Sequence, residues 1–132
     1  MNLESALYFD THAHLDLPPL SQNLDVELRL ARQQGVQGWL LPGVRRCGWT
    51  GLLACVGRHP GLWAAPGLHP MAVADWSPAA CAELESMLSD EKVLAVGEIG
   101  LDACPGLPAA EVQEAALRGQ IRLALALRRP GC

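Results

Sequence analysis

The sequence has no basic excess and no long apolar run. Among its 132 residues, 14 are acidic and 10 are basic, so the formal net charge at pH 7 is −4. Nucleic-acid-binding domains usually carry a basic face, and the overall charge gives no support for that class of protein. No segment approaches the roughly 20 apolar residues that a membrane span needs, and residues 1–5 lack the basic start of a signal peptide. We therefore expect a cytoplasmic protein that makes no membrane contact.

Two chemical motifs are also missing from the sequence. The five cysteines are odd in number and form no C-x-x-C pair, so small buried or free thiols in a reducing compartment are expected. No G-x-G-x-x-G loop follows the first apolar run, which begins near residue 8. This absence argues against a nucleotide-binding Rossmann domain.

What the sequence does contain is an alternation of apolar runs and segments with helical periodicity. Half of the residues are apolar, and 18% are charged. Apolar runs begin near residues 8, 36, 62 and 93, and each is followed by a segment that indicates a helix. This order predicts an α/β fold of four βα units with parallel strands and right-handed crossovers. We expect a single domain over residues 1–132.

Local signals predict where these elements begin and end. Residues 93–99 form the clearest predicted strand. Ser21 or Asn23 can cap the first helix, Gly57 is expected to end the second, and Ser77 predicts the start of the third. The last helix is expected over residues 108–128, with an apolar side that includes Val112, Ala116, Leu123, Ala124 and Leu127.

A His-x-His pair lies at the end of the first predicted strand. His12 and His14 are two residues apart, so on a strand they point to the same face. Two neutral imidazoles suit a divalent transition metal, and Asp10 and Asp16 have the parity to accept hydrogen bonds from the rings. The pair alone is equally consistent with solvated or hydrogen-bonded histidines at a strand edge.

Further polar residues follow the other predicted strands. His69 follows the third strand, Glu98 ends the fourth, and Asp102 comes just beyond it. In a parallel sheet or barrel the carboxyl ends of the strands share one face, where α/β proteins place their sites. A carboxylate in this apolar setting is costly unless it is paired or bound to a metal. Histidines and a glutamate on one rim favour a partial metal site, and the alternative is a hydrogen-bonded polar rim.

Three segments together resemble the TatD family. They are Asp-Thr-His-Ala-His-Leu-Asp at residues 10–16, Gly-Leu-His-Pro at 67–70 and Val-Gly-Glu-Ile-Gly-Leu-Asp at 96–102. Gln113 and Gln120 also resemble the helix that follows the glutamate motif there. The family comprises metal-dependent hydrolases, several of them deoxyribonucleases, with a (β/α)₈ barrel of the amidohydrolase type. The resemblance implies that this chain is similar to the N-terminal half of such a TIM barrel.

The resemblance also implies roles for single residues. His12 and His14 match ligands of one divalent metal, and Glu98 matches the catalytic carboxylate that bridges two metals. His69 matches a position near the substrate, where we expect contact with a phosphate; a hydrogen-bonded turn residue before Pro70 is the alternative.

Asp10 and Asp102 match family positions that support the metal ligands without binding the metal themselves. Other residues of the family's site do not occur in this chain. The family's remaining ligands and its catalytic aspartate come from the second half of the barrel, and this chain ends where a fifth strand would begin. We therefore expect a truncated domain with three ligands. Ala103-Cys104-Pro105 also departs from the family, which more often has aromatic residues there.

The activity implied by the resemblance is metal-dependent hydrolysis of a phosphodiester, with DNA as the expected substrate. The expected cofactors are divalent ions, Zn, Mg or Mn, two in the family and one here, which activate a water. Two alternatives remain: a catalytically inactive fragment, and an amidohydrolase-type enzyme acting on a small amide or ester. The open half-barrel is expected either to self-associate or to fold poorly, since it leaves bare strand edges and an open apolar interior.

Overall fold

The computed structural model describes residues 7–132, and it alternates strands with helices. The predicted α/β fold with parallel strands is confirmed. The five cysteines are free thiols, as expected. None of the helices within residues 7–132 has the length and apolar character to cross a membrane. The elements, in chain order, are β1 (Tyr8–Asp10), α1 (Leu24–Gln33), β2 (Val36–Pro42), α2 (Trp49–Arg58), β3 (Leu62–Ala65), α3 (Pro78–Met87) and α4 (Ala110–Ala126).

The three strands form one parallel sheet in the order β1-β2-β3. Asp10 pairs with Trp39 across β1 and β2, and Trp39 pairs with Leu62 across β2 and β3. The helices cover one face of this sheet, where Trp39, Leu41 and Leu62 are buried together with Leu28 of α1. Because each helix returns the chain to the start of the next strand, all three strands end at the same rim. That rim carries the polar residues of interest.

The helix boundaries follow local sequence signals, with two exceptions. Asn23 makes no side-chain cap on α1, because a 3₁₀ turn over Leu20–Asn23 leads directly into the helix. Gly57 does not end α2, which continues to Arg58. Gly57 is exposed and keeps a helical conformation, and the chain instead turns at Gly61, where φ is 85°. Ser77 caps α3 as predicted, accepting a hydrogen bond from the Ala80 amide at 3.1 Å.

The fourth predicted strand is present only as an extended segment. Val93 forms an isolated parallel bridge with Ala64, and Val96 forms another with Gly131. Between them the ladder is interrupted because Pro66, the residue after β3, has no N–H to donate. Its carbonyl still accepts a hydrogen bond from Gly97 at 3.2 Å. The prediction that residues 93–99 form the clearest strand was therefore wrong, because they do not form a regular strand. Their predicted place beside β3 was right.

Helix α4 buries two glutamines in a stripe that the sequence predicts to be apolar. Val112 is 45% exposed, whereas Gln113 is 3% and Gln120 is 0% exposed. Ala116 and Ala124, which are buried as predicted, lie on the same face because the spacing of these residues follows the helical period. The predicted apolar side was therefore displaced by one residue at its start.

One close backbone approach brings the fourth segment to the rim. A Cβ atom added at Gly67 would lie 2.6 Å from the carbonyl carbon and oxygen of Gly97. We expect Gly67→Ala to lower the free energy of unfolding by about 1–3 kcal/mol, because backbone must shift to admit the methyl group. Urea denaturation followed by circular dichroism measures this change.

The control for Gly67→Ala is Gly57→Ala in α2, where an added Cβ meets nothing within 4 Å. Since alanine favours a helix more than glycine does, the free energy of unfolding of this variant is expected to rise by about 0.5–1 kcal/mol. Equal effects of the two substitutions would contradict the role given to the Gly67–Gly97 contact.

Candidate metal centre

Four side chains from three strand ends meet at the rim, with the Glu98 carboxylate at their centre. Its Oε2 lies 3.3 Å from His12 Nε2 and 3.5 Å from His14 Nε2. Its Oε1 lies 3.6 Å from His69 Nε2. The structure thus brings together the residues that the sequence places after β1, after β3 and at the end of the fourth segment.

Backbone hydrogen bonds hold Glu98 in this position. Its amide donates to the Gly43 carbonyl at 2.8 Å, and the Gly43 amide donates to the Gly97 carbonyl at 2.9 Å. Gly43 follows β2 directly, so this exchange ties the glutamate to the middle of the sheet. The close packing of Gly97 against Gly67 adds the connection to β3. The backbone of Glu98 is therefore attached to two neighbouring strand ends.

The two histidines after β1 are ordered mainly through their backbone. Asp10 Oδ1 accepts a hydrogen bond from the His12 amide at 3.0 Å, and the Ala13 amide donates to the Leu40 carbonyl at 3.1 Å. The rings of His12 and His14 lie edge to face, with centroids 5.2 Å apart. Asp10 thus supports the turn that carries the histidines, whereas the sequence interpretation had it accept from a ring.

His69 has a defined tautomer. Its Nδ1 accepts a hydrogen bond from the Met71 amide at 3.1 Å, which caps a 3₁₀ helix over Pro70–Asp75. Because Nδ1 is the acceptor, the neutral ring carries its proton on Nε2, the atom that faces Glu98 Oε1. His69 is therefore both a turn-capping residue and a hydrogen-bond donor directed toward the centre of the site.

Two buried polar atoms near the site have no hydrogen-bond partner within residues 7–132. They are Nδ1 of His14 and Oδ1 of Asp16. Burial raises the pKa of Asp16 above its usual value, against smaller opposing effects from its own backbone and from His14. The sequence pattern predicts that Asp16 accepts a hydrogen bond from an imidazole N–H. Its Oδ1 forms no such bond in the described part of the chain.

Asp102 organises its own loop and stays outside the cluster. Its Oδ1 accepts from the Cys104 amide at 2.8 Å. Gln113 holds the Asp102 backbone at both ends, accepting from its amide at 2.8 Å and donating to its carbonyl at 2.9 Å. Among the described residues, Asp102 forms no ion pair or hydrogen bond with His12, His14 or Glu98.

Gln120 supports the site in a way that the sequence reasoning missed. Its Oε1 accepts from the Leu68 amide at 2.6 Å, and its Nε2 lies 3.4 Å from the Leu68 carbonyl. It therefore fixes the residue before His69. The signal was present in the sequence: Gln113 and Gln120 are seven residues apart, on one face of a helix whose neighbours on that face are small and apolar.

The cluster fits a divalent cation. One ligand atom each from His12, His14 and Glu98 lie within 4.8 Å of one another. Two imidazole nitrogens and one carboxylate oxygen are ligands that zinc and manganese accept, and three protein ligands leave a position open for water or substrate. The Nε2–H of His69 would oppose a cation, so this ring is better placed to meet a substrate oxygen.

A comparison with protein families identifies the chain. The model of the TatD-related DNases matches residues 9–131. The chain belongs to this family. An uncharacterised metal-dependent hydrolase, YjjV of Escherichia coli K12, is 36% identical over 119 residues, which are 89% of this chain and 46% of YjjV. The 3′-5′ ssDNA/RNA exonuclease TatD of Klebsiella pneumoniae is 31% identical over 122 residues, or 92% and 46% of the two chains.

The fold of this TatD-family chain agrees with a solved structure. The crystal structure of YjjV, described as a TatD homologue from Escherichia coli K12, matches with a TM-score of 0.88 at 35% identity, over 94% of this chain and 49% of that one. The predicted likeness to half of a TIM barrel is thereby confirmed. The chain spans about half the length of the relatives it matches.

The pair of hydrogen bonds between the Gln120 side chain and the Leu68 backbone, here called the Gln120 clamp, leads to a stability prediction. Gln120→Leu keeps a similar volume but leaves the buried Leu68 amide without its acceptor, which is expected to cost about 1–3 kcal/mol in unfolding free energy. Urea denaturation measures the loss, and hydrogen exchange of the Leu68 amide is expected to accelerate. Gln33→Leu, on the exposed end of α1, is the control, and a loss as large as that of Gln120→Leu there would refute the clamp.

Proposed function

We propose that the TatD-family site of this chain serves metal-dependent hydrolysis of phosphodiester bonds in a nucleic-acid strand. The observation that carries the proposal is the position of Glu98, whose two oxygens face three imidazole nitrogens at 3.3–3.6 Å. Similarity to a relative named as a ssDNA/RNA exonuclease supports the substrate class. His12, His14 and Glu98 are the proposed metal ligands, and Glu98 is also the proposed catalytic carboxylate.

In this proposal some residues of the site bind the cation and another binds the substrate. A divalent cation supplies a Lewis acid that neutralises phosphate charge and lowers the pKa of a water. The backbone bonds to Gly43 fix where the Glu98 side chain begins, and its oxygens face the imidazoles that would share the cation. His69 donates its Nε2–H to a phosphate oxygen. Asp10 and Asp102 keep the two loops of the site in shape. Zn, Mg and Mn are the proposed cations.

The experiment is hydrolysis of single-stranded DNA by the purified chain with added Mg²⁺, Mn²⁺ or Zn²⁺. Glu98→Gln is expected to abolish turnover and to weaken metal binding in calorimetry by at least about tenfold, because it removes a charged ligand. Glu114→Gln is the matched control, since Glu114 pairs with Arg118 on the exposed side of α4. Turnover retained in Glu98→Gln would overturn the assignment.

Two alternatives are separated by the same experiment. An ester substrate such as p-nitrophenyl acetate, cleaved in preference to DNA, would indicate an amidohydrolase-type activity, which the net charge of −4 favours. Metal binding without turnover of any substrate would indicate a chain that retains three ligands but is inactive alone.

We also propose that the chain self-associates through β1. This strand lies at the edge of the sheet, and Tyr8 and Phe9 on it are 58% and 47% exposed. An exposed apolar edge strand offers unpaired backbone groups to another chain. Sedimentation velocity is expected to show dimers or larger species, which Tyr8→Lys shifts toward monomer.

The control for Tyr8→Lys is Leu125→Lys, at a residue 73% exposed on α4. The same added charge there is expected to leave the sedimentation profile unchanged. A monodisperse wild-type monomer would contradict the proposal.

A further inference from the structure

A loop after β2 connects the candidate metal centre to an arginine at the rim. The Gly43 carbonyl accepts from the Glu98 amide at 2.8 Å, and the next carbonyl, that of Val44, accepts from the His69 amide at 3.0 Å. Arg45 is the following residue. Its backbone position is therefore set by the same hydrogen bonds that position the glutamate and the third histidine.

The side chain of Arg45 lies on the His69 side of the site. Its Nη2 is 3.6 Å from the sulfur of Met71, and Met71 is the residue whose amide donates to His69 Nδ1. A thioether is a weak acceptor and leaves the guanidinium charge intact. The side chain is thus anchored beside the site without being neutralised there.

Arg45 and its neighbour differ in their charge partners. Arg46 pairs with Glu83 at 2.6 Å. Arg45 is exposed, and no ion pair joins it to any carboxylate in the described part of the chain. An unpaired cation beside the site of a protein with net charge −4 raises the local concentration of anions where the overall charge would repel them.

The surroundings of Arg45 also favour a particular kind of anion. The residue borders a rim cavity of about 240 Å³ whose lining is mainly apolar. Leu17, Val44 and Leu52 contribute to it, and Asp16 is the acidic residue in the lining. A nucleotide unit combines a phosphate with an aromatic base whose flat faces can pack on apolar surface, whereas a small amide or ester supplies no anion. The guanidinium fork is suited to hold two phosphate oxygens at once.

We propose that Arg45 binds a phosphate of a nucleic-acid strand next to the bond positioned at Glu98. This assignment rests on the function proposed above. Arg45 contributes affinity and register, and takes no part in the chemistry. It also gives a local electrostatic reason why an acidic protein can bind a polyanion.

The test is fluorescence anisotropy with a short 5′-fluorescein oligothymidylate, measured with a chelator and again with Ca²⁺, over a series of salt concentrations. Arg45→Gln is expected to raise Kd about five- to tenfold. The slope of log K against log salt is expected to fall in magnitude by about 0.7, the value for one phosphate contact on a single strand. Arg45→Lys is expected to recover the slope, since it keeps the charge.

Arg46→Gln is the matched control, and it is expected to leave both affinity and slope unchanged, because its guanidinium is already paired. A purely structural role of Arg45 would not change the salt slope. Wild-type binding with an unaltered slope in Arg45→Gln would overturn the role of Arg45 while leaving the proposed function standing. Failure of the wild-type chain to bind the strand in either condition would overturn both.

An abasic strand of the same length separates phosphate contact from ring contact. If Arg45 holds phosphate, Arg45→Gln weakens binding of the abasic and normal strands by the same factor. Loss of affinity confined to the normal strand would overturn the phosphate contact.

Discussion

The carboxylate of Glu98 is the constraint on which the site depends, because it must stand among three imidazoles at a strand end. The backbone that carries it is secured by main-chain contacts: the Glu98 and Gly43 amides form hydrogen bonds across the rim, and Gly67 lies against Gly97 with no room for a Cβ. Backbone contacts of this kind fix the point from which the Glu98 side chain extends, and the three imidazoles then face its carboxylate oxygens. The three strand ends become one rigid platform.

The rest of the rim is arranged to keep the imidazoles facing that carboxylate. Asp10 orders the turn of His12 through its amide, and the Met71 amide selects the tautomer of His69. Helix α4 also contacts the residues of this rim. The Gln120 side chain accepts a hydrogen bond from the Leu68 amide, and the Gln113 side chain accepts one from the Asp102 amide. Buried amide side chains with both ends bonded are costly to remove. Their presence links the packing of the last helix to the geometry of the site.

Much of the fold and part of the site could be predicted from local sequence. The order of strands and helices, the cap of α3 and the free cysteines follow from patterns within a few residues. The irregularity of residues 93–99 could not be foreseen, because it arises where Pro66, distant in sequence, offers no donor to the ladder. The burial of Gln113 in place of Val112 likewise depends on loop atoms that only the folded chain brings near α4.

That two histidines share a strand face, and that His69 and Glu98 follow other strands, can be read from the chain alone, because parity and strand order are local properties. The packing of the folded chain places Glu98 between the imidazoles and keeps Asp102 apart from them. It also makes Asp10 support backbone in place of a ring, and it sets Arg45 against Met71 with no carboxylate partner among residues 7–132. Distances between loops depend on how strands and helices pack, so they cannot be predicted from neighbouring residues in the sequence.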